Sequence, residues 1–176
     1  MRIIVAALAA LFFCTAVFAD AALVKETRKK AEKGEAEYQY DLGMMYILGN
    51  DVKQNYAEGL KWLKLAAAQK NADACYELGR MYSNGEGVET NDAEALKWFI
   101  LAGEAGSGEA QQALGTAYKN GTDGAKKDLK EAAKWLEKSY ESLGNTGDLS
   151  SLADVYTEMK DYPKLIGAYK KMMEGW

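Results

Sequence analysis

The sequence predicts an all-α chain, a right-handed α-solenoid of stacked helix-turn-helix repeats. Three observations carry that prediction. Leu42-Gly43-Met44-Met45-Tyr46 recurs as Leu78-Gly79-Arg80-Met81-Tyr82 and as Leu114-Gly115-Thr116-Ala117-Tyr118, each 36 residues after the last. A second block, Gly59-Leu60-Lys61-Trp62-Leu63, recurs as Ala95-Leu96-Lys97-Trp98-Phe99 and Ala132-Ala133-Lys134-Trp135-Leu136, with tryptophans 36 and then 37 residues apart. The chain also has a single proline and is 48% hydrophobic, too apolar for disorder. Self-similarity at such a period is the signature of a repeat array.

The elements follow in order. Residues 1–19 read as a secretory signal peptide: Arg2 supplies the charge, Ile3 to Phe18 the apolar run, and Ala19 a cleavage position. Sixteen apolar residues are short for a membrane anchor, which needs about 20. Lipidation at Cys14 is disfavoured by the two phenylalanines before it. The expected location is therefore periplasmic or secreted, with no membrane span left after cleavage. Residues 20–35 read as an N-terminal capping helix whose Arg28, Lys29, Lys30 and Lys33 suit a solvated face.

Repeats are expected over 36–71, 72–107 and 108–145, each holding two helical patterns. In the first helix Ala74, Leu78, Met81 and Tyr82 form one stripe, and in the second Ala95, Trp98, Phe99 and Ala102 form another. Asn84-Gly85-Glu86-Gly87 and Asn120 to Gly124 carry turn chemistry between them. Asp92 and Asp128 are expected to cap the second helices, since a short acid accepts from free backbone N–H groups. Gly43, Gly79 and Gly115 cost about 1 kcal/mol each relative to Ala in a helix, which implies close helix crossing at that register. Residues 146–176 read as a degenerate fourth repeat and C-terminal cap. Its Leu152-Ala153-Asp154-Val155-Tyr156 block is weaker, its Trp is lost, and Pro163 opens the last helix. Neither helix of a repeat buries its stripe alone, so neighbours must stack.

Composition narrows the function. Lys+Arg total 22 against 26 Asp+Glu, a net charge of −4, so the basic field of a nucleic-acid binder is missing. Histidine is absent, which removes His-dependent nucleophile relays and imidazole metal sites. No Ser-x-x-Lys, G-x-S-x-G or P-loop is present. No enzyme, cofactor or metal is expected. Cys75, alone after signal cleavage, cannot form an internal disulfide. It is read as a small helix side chain at a polar-tolerant position, with Gln39 and Gln111 as its siblings. A monomer is expected, with a Cys75-linked dimer as the other option.

The pattern Ala-x-x-x-Leu-Gly-x-x-Tyr, a Gly-containing turn, then Ala-x-x-Trp-x-x-x-Ala resembles the Sel-1-like repeat, a relative of the tetratricopeptide repeat. The best copy runs Ala74, Leu78, Gly79, Tyr82, Gly85, Gly87, Val88, Asp92, Ala95, Trp98 and Ala102. The resemblance implies a protein-binding adaptor. Exported bacterial members of that family include envelope-signalling regulators, host-interaction factors and immunity proteins that neutralise a toxin. A cysteine-rich branch is linked to penicillin binding and β-lactam hydrolysis, but its paired cysteines are missing here.

By analogy with tetratricopeptide stacks, a concave groove is lined by off-stripe residues of the first helices. The partner-binding candidates are Tyr40, Met44, Tyr76, Arg80, Gln112, Thr116 and Lys119, among neighbours Glu37, Ile47, Asp73, Ser83 and Glu109. Tyr and Arg are over-represented among interface anchors. The same positions also suit a generic solvated helix face. The tyrosines at 46, 82 and 118 and the tryptophans at 62, 98 and 135 are assigned to packing, because the repeat uses each position three times.

Overall fold

A computed structural model describes residues 22–174, so the expected signal peptide lies outside the described residues. The described residues form helices joined by turns and loops, with no strand among them: α1 (22–32), α2 (Ala36–Leu48), α3 (Tyr56–Ala68), α4 (Ala72–Asn84), α5 (Asp92–Glu104), α6 (Gly108–Asn120), α7 (Leu129–Leu143), α8 (Thr146–Met159) and α9 (Tyr162–Glu174). The chain divides into two compact units, Met1–Gln69 and Lys70–Trp176. The first holds α1 and the α2/α3 pair. In the second, three helix pairs pack in chain order, α4 to α9.

Short polar residues start the helices. Asn55, Asn71, Asn91, Ser107, Asp128 and Asn145 each accept a backbone N–H of the first turn through the side chain. Such caps satisfy donors that a helix cannot satisfy itself. The expectation for Asp128 holds, but that for Asp92 does not. Asn91 is the cap of α5, its Oδ1 accepting Glu94 N at 3.0 Å, and Asp92 is the first helical residue.

Each helix pair closes the same way. The N–H of the second helix's cap donates to the carbonyl of the repeat tyrosine: Asn55 to Tyr46 at 2.8 Å, Asn91 to Tyr82 at 2.8 Å, Asp128 to Tyr118 at 2.9 Å. The α6–α7 connection is one residue longer than the α2–α3 and α4–α5 connections, which is why the tryptophan spacing grows there.

The repeated glycines sit where helices cross. A Cβ on Gly43 would lie 3.0 Å from Leu63, one on Gly79 2.7 Å from the Phe99 ring, and one on Gly115 2.5 Å from Leu136. Close approach of the backbones is what those residues permit. Leu42, Leu63, Leu78, Leu114 and Leu136 fill the cores around them. At the C-terminal end, Leu149, Leu152, Val155 and Tyr156 of α8 join Ala132, Ala133 and Leu136 of α7 and Ala168 of α9 in one cluster.

The position shared by Gln39, Cys75 and Gln111 is buried in all three repeats. Gln39 Nε2 donates to Ala31 O at 3.2 Å and Gln111 Nε2 to Gly103 O at 2.9 Å. The site accepts polar residues because a backbone carbonyl is within reach, not because water is. Cys75 is 1% exposed and its burial pushes the thiol up, which works against both a nucleophilic role and a link to a second chain.

Candidate functional site

The candidate residues fall in both units. In the first, Tyr40 and Met44 lie half-buried on α2. Ile47, expected beside them, belongs to the core: it is buried, and its Cγ1 lies 2.6 Å from where a Cβ on Gly59 would sit. Nearby, burial pushes the Asp41 carboxyl up, and the Glu37 charge adds to the effect.

In the second unit Tyr76, Gln112 and Thr116 come together. They line a cleft of about 390 Å³ with Glu109, Ala113, Asp123 and Ser151. The cleft thus draws on α4, α6, α8 and the loop before α7. Each side chain has a support. The Tyr76 ring packs against Phe99, centroids 5.7 Å apart and planes tilted by 52°. Gln112 Nε2 donates to Asp148 Oδ1 at 2.8 Å. Thr116 Oγ1 turns back to its own helix, donating to Gln112 O at 3.1 Å.

Behind Gln112, the Asp148 carboxyl is 1% exposed and also accepts from Ser139 Oγ at 2.8 Å. A buried carboxylate needs such partners, since an unsatisfied one is costly. These bonds tie α6, α7 and α8 together, so Gln112 is both a cleft residue and a brace.

The other two candidates lie outside this lining. Lys119 is held by Asp154 of α8 at 2.7 Å. Arg80 pairs with Glu77 one turn back at 3.3 Å. Burial pushes the Glu77 carboxyl up more than the Arg80 guanidinium lowers it.

Three lining residues, Ala113, Asp123 and Ser151, were not among the sequence candidates. Asp123 sits in the loop after α6 in the left-handed region, at φ 52°. Ser151 belongs to the degenerate repeat, where the spacing has slipped by two residues. The cleft's charges are the carboxylates of Glu109 and Asp123, and its described lining contains no cation. Its lining offers hydroxyls, an amide, one aromatic ring and two acids.

Three segments, residues 36–71, 72–107 and 108–142, match the family model described as the Sel1 repeat. The chain belongs to the Sel1 repeat family. Its structure is similar to that of a Sel1 repeat protein from Oxalobacter formigenes, with 31% identity and a TM-score of 0.76 over 89% of this chain and 46% of that one. It is also similar to c5321, a protective antigen present in uropathogenic Escherichia coli strains that displays an SLR fold. There the identity is 33% and the TM-score 0.71, over 85% of this chain and 32% of that one. The chain therefore spans less than half the length of either. No curated protein matches it. The Sel1 repeat is a protein-interaction fold, and no described helix is long and apolar enough to cross a membrane.

Proposed function

We propose that this Sel1 repeat protein is an exported, non-enzymatic binding module that holds a protein partner in the cleft of α4, α6 and α8. The observation that carries the reading is the convergence of Tyr76, Gln112 and Thr116 on one cleft with two carboxylates at its edge. A tyrosine braced by Phe99 offers apolar area at low entropic cost, as interface anchors do. Glu109 and Asp123 favour a partner segment carrying Lys or Arg, and they act mainly on encounter rate and register. The apolar run at residues 3–18 supports export to the periplasm or beyond. Within that compartment, the reading is an inhibitor or immunity protein that occludes a toxin or envelope enzyme, or else an envelope adaptor. Tyr40 and Met44 of α2 are proposed as partner-binding residues of the first unit.

The test is capture from periplasmic extract and culture supernatant with the chain beginning at Asp20, beside a Thr116→Arg variant. Thr116 is exposed, so the bulky cation obstructs the cleft without touching the core. One stoichiometric partner, bound by the parent chain and lost by the variant, is the expected result. Equal capture by both chains sinks the cleft. Inhibition of the captured protein's activity marks an inhibitor, and an unchanged activity marks an adaptor.

A further inference from the structure

A second cleft, of about 400 Å³, lies between α7, α8 and α9. Its floor is apolar, formed by Leu149 and Leu152 of α8 and Ala168 of α9. Its rim carries two glutamates and two lysines, and one pair is already matched: Lys164 Nζ lies 3.4 Å from Glu137 Oε1. A rim so balanced favours a neutral occupant over an ion.

The repeat pattern explains why the space exists. The seventh residue of the second helix is Trp62 in α3, Trp98 in α5 and Trp135 in α7, but Ala168 in α9. In α7 that tryptophan fills the room left by Gly103, the twelfth residue of α5, whose added Cβ would lie 2.8 Å from the Trp135 ring. One level later the corresponding residues are Ala168 and Tyr140, and both line the cleft. The aromatic ring has moved to the other helix, and the space is left incompletely filled.

Gly167 is an independent observation. The helical glycines at 43, 59, 79, 103, 108 and 115 each stand where a Cβ would press on a packed neighbour within 3.0 Å or less. Gly167, inside α9, has nothing within 4 Å of a Cβ position, so no packing contact requires it. It too lines the cleft, and it leaves the backbone of α9 bare at the mouth. A glycine without a packing reason is what close approach of an external group to the backbone calls for.

We propose that the α7/α8/α9 cleft is an anchor pocket for an uncharged aromatic side chain of a polypeptide partner, the ring lying on Leu149 and Leu152 beside Gly167. The assignment rests on the protein-binding reading above, but it names a different cleft, with no lining residue in common, and a different recognition chemistry. An aromatic anchor entering a desolvated pocket is the commonest way a small surface concentrates binding energy.

The probe is N-acetyl-L-tryptophanamide, titrated into the full chain carrying labelled leucine methyls. The expected result is saturable shifts at Leu149 and Leu152 with a Kd on the order of 1 mM, as suits one small ring. Nuclear Overhauser contacts from the indole protons to those methyls are expected too, and they need no variant. Gly167→Leu should fold at least as stably as the parent and weaken the probe by about tenfold or more, because its side chain occupies the mouth. Methyls that do not move, contacts that are absent, or a folded Gly167→Leu that binds equally would each overturn the assignment. Neither the probe nor Gly167 touches the α4/α6/α8 cleft, so failure here is separable from failure of partner capture there.

Discussion

Gln112 on α6 donates a 2.8 Å hydrogen bond to the buried Asp148 of α8, 36 residues further along the chain. The bond couples the candidate cleft to the stacking of the last two helix pairs, since Asp148 is also held by Ser139 of α7. Gln112→Ala removes one of those partners and leaves a buried carboxylate oxygen under-satisfied. The expected loss is about 1–3 kcal/mol, read as a lower urea midpoint at unchanged slope. A loss well below that would mean water replaces the amide.

Glycines at two kinds of site should respond oppositely to alanine. Gly115→Ala gains helix propensity but drives a methyl into Leu136, so a net cost of about 1–3 kcal/mol is expected. Gly167→Ala meets open space and should gain up to about 1 kcal/mol. Thermal unfolding of the two variants beside the parent measures both signs.

Capping gives a sharper discrimination between adjacent residues. Asn91→Ala removes the bond to Glu94 N and should cost about 1 kcal/mol. Asp92→Ala removes no cap and should stay within about 0.5 kcal/mol. Reversal of that order in chemical denaturation would contradict the assigned start of α5.

These residues also show what was legible in the chain. The Leu-Gly-Tyr and tryptophan blocks revealed the helix pairs, because glycines that admit a crossing helix must recur at the repeat period. The acid 36 residues before Asp128 is Asp92, which the structure places inside α5 rather than at its cap. The tryptophans there are 37 apart, and in that register Asn91 is the counterpart. Gln39 and Gln111 look like surface residues until the carbonyls of Ala31 and Gly103 are seen beside them. Tyr76, Gln112 and Thr116 could be placed on one face from helical register alone. Asp123 and Ser151 could not, since a loop and a slipped repeat bring them to the cleft through tertiary packing. The substitution of Ala168 for tryptophan was visible as a loss, but the cleft it leaves depends on where Tyr140 and α8 lie.

Tyr156 supplies a pH dependence. Its hydroxyl is buried and donates to Glu137, and burial followed by that hydrogen bond and the carboxylate's charge push it well above the ordinary tyrosine value. A folded-state value above the unfolded one gives stability that is fully present below about pH 10 and lost as pH rises beyond it, because the unfolded chain releases the proton first. Stability measured from pH 8 to 11 should therefore fall at the alkaline end. Tyr156→Phe should flatten that fall, and an equally steep fall in the variant would assign it to other groups.

The central claim, that a protein partner occupies the α4/α6/α8 cleft, is tested most directly by site-resolved cross-linking. A photoreactive residue is placed at Thr116 in the cleft or at Lys130, an exposed residue at the start of α7. The protein is then irradiated in intact cells that produce it. The account predicts one cross-linked partner from position 116 and none from position 130. A partner captured from position 130 but not from 116 would contradict it and move the binding surface away from the cleft.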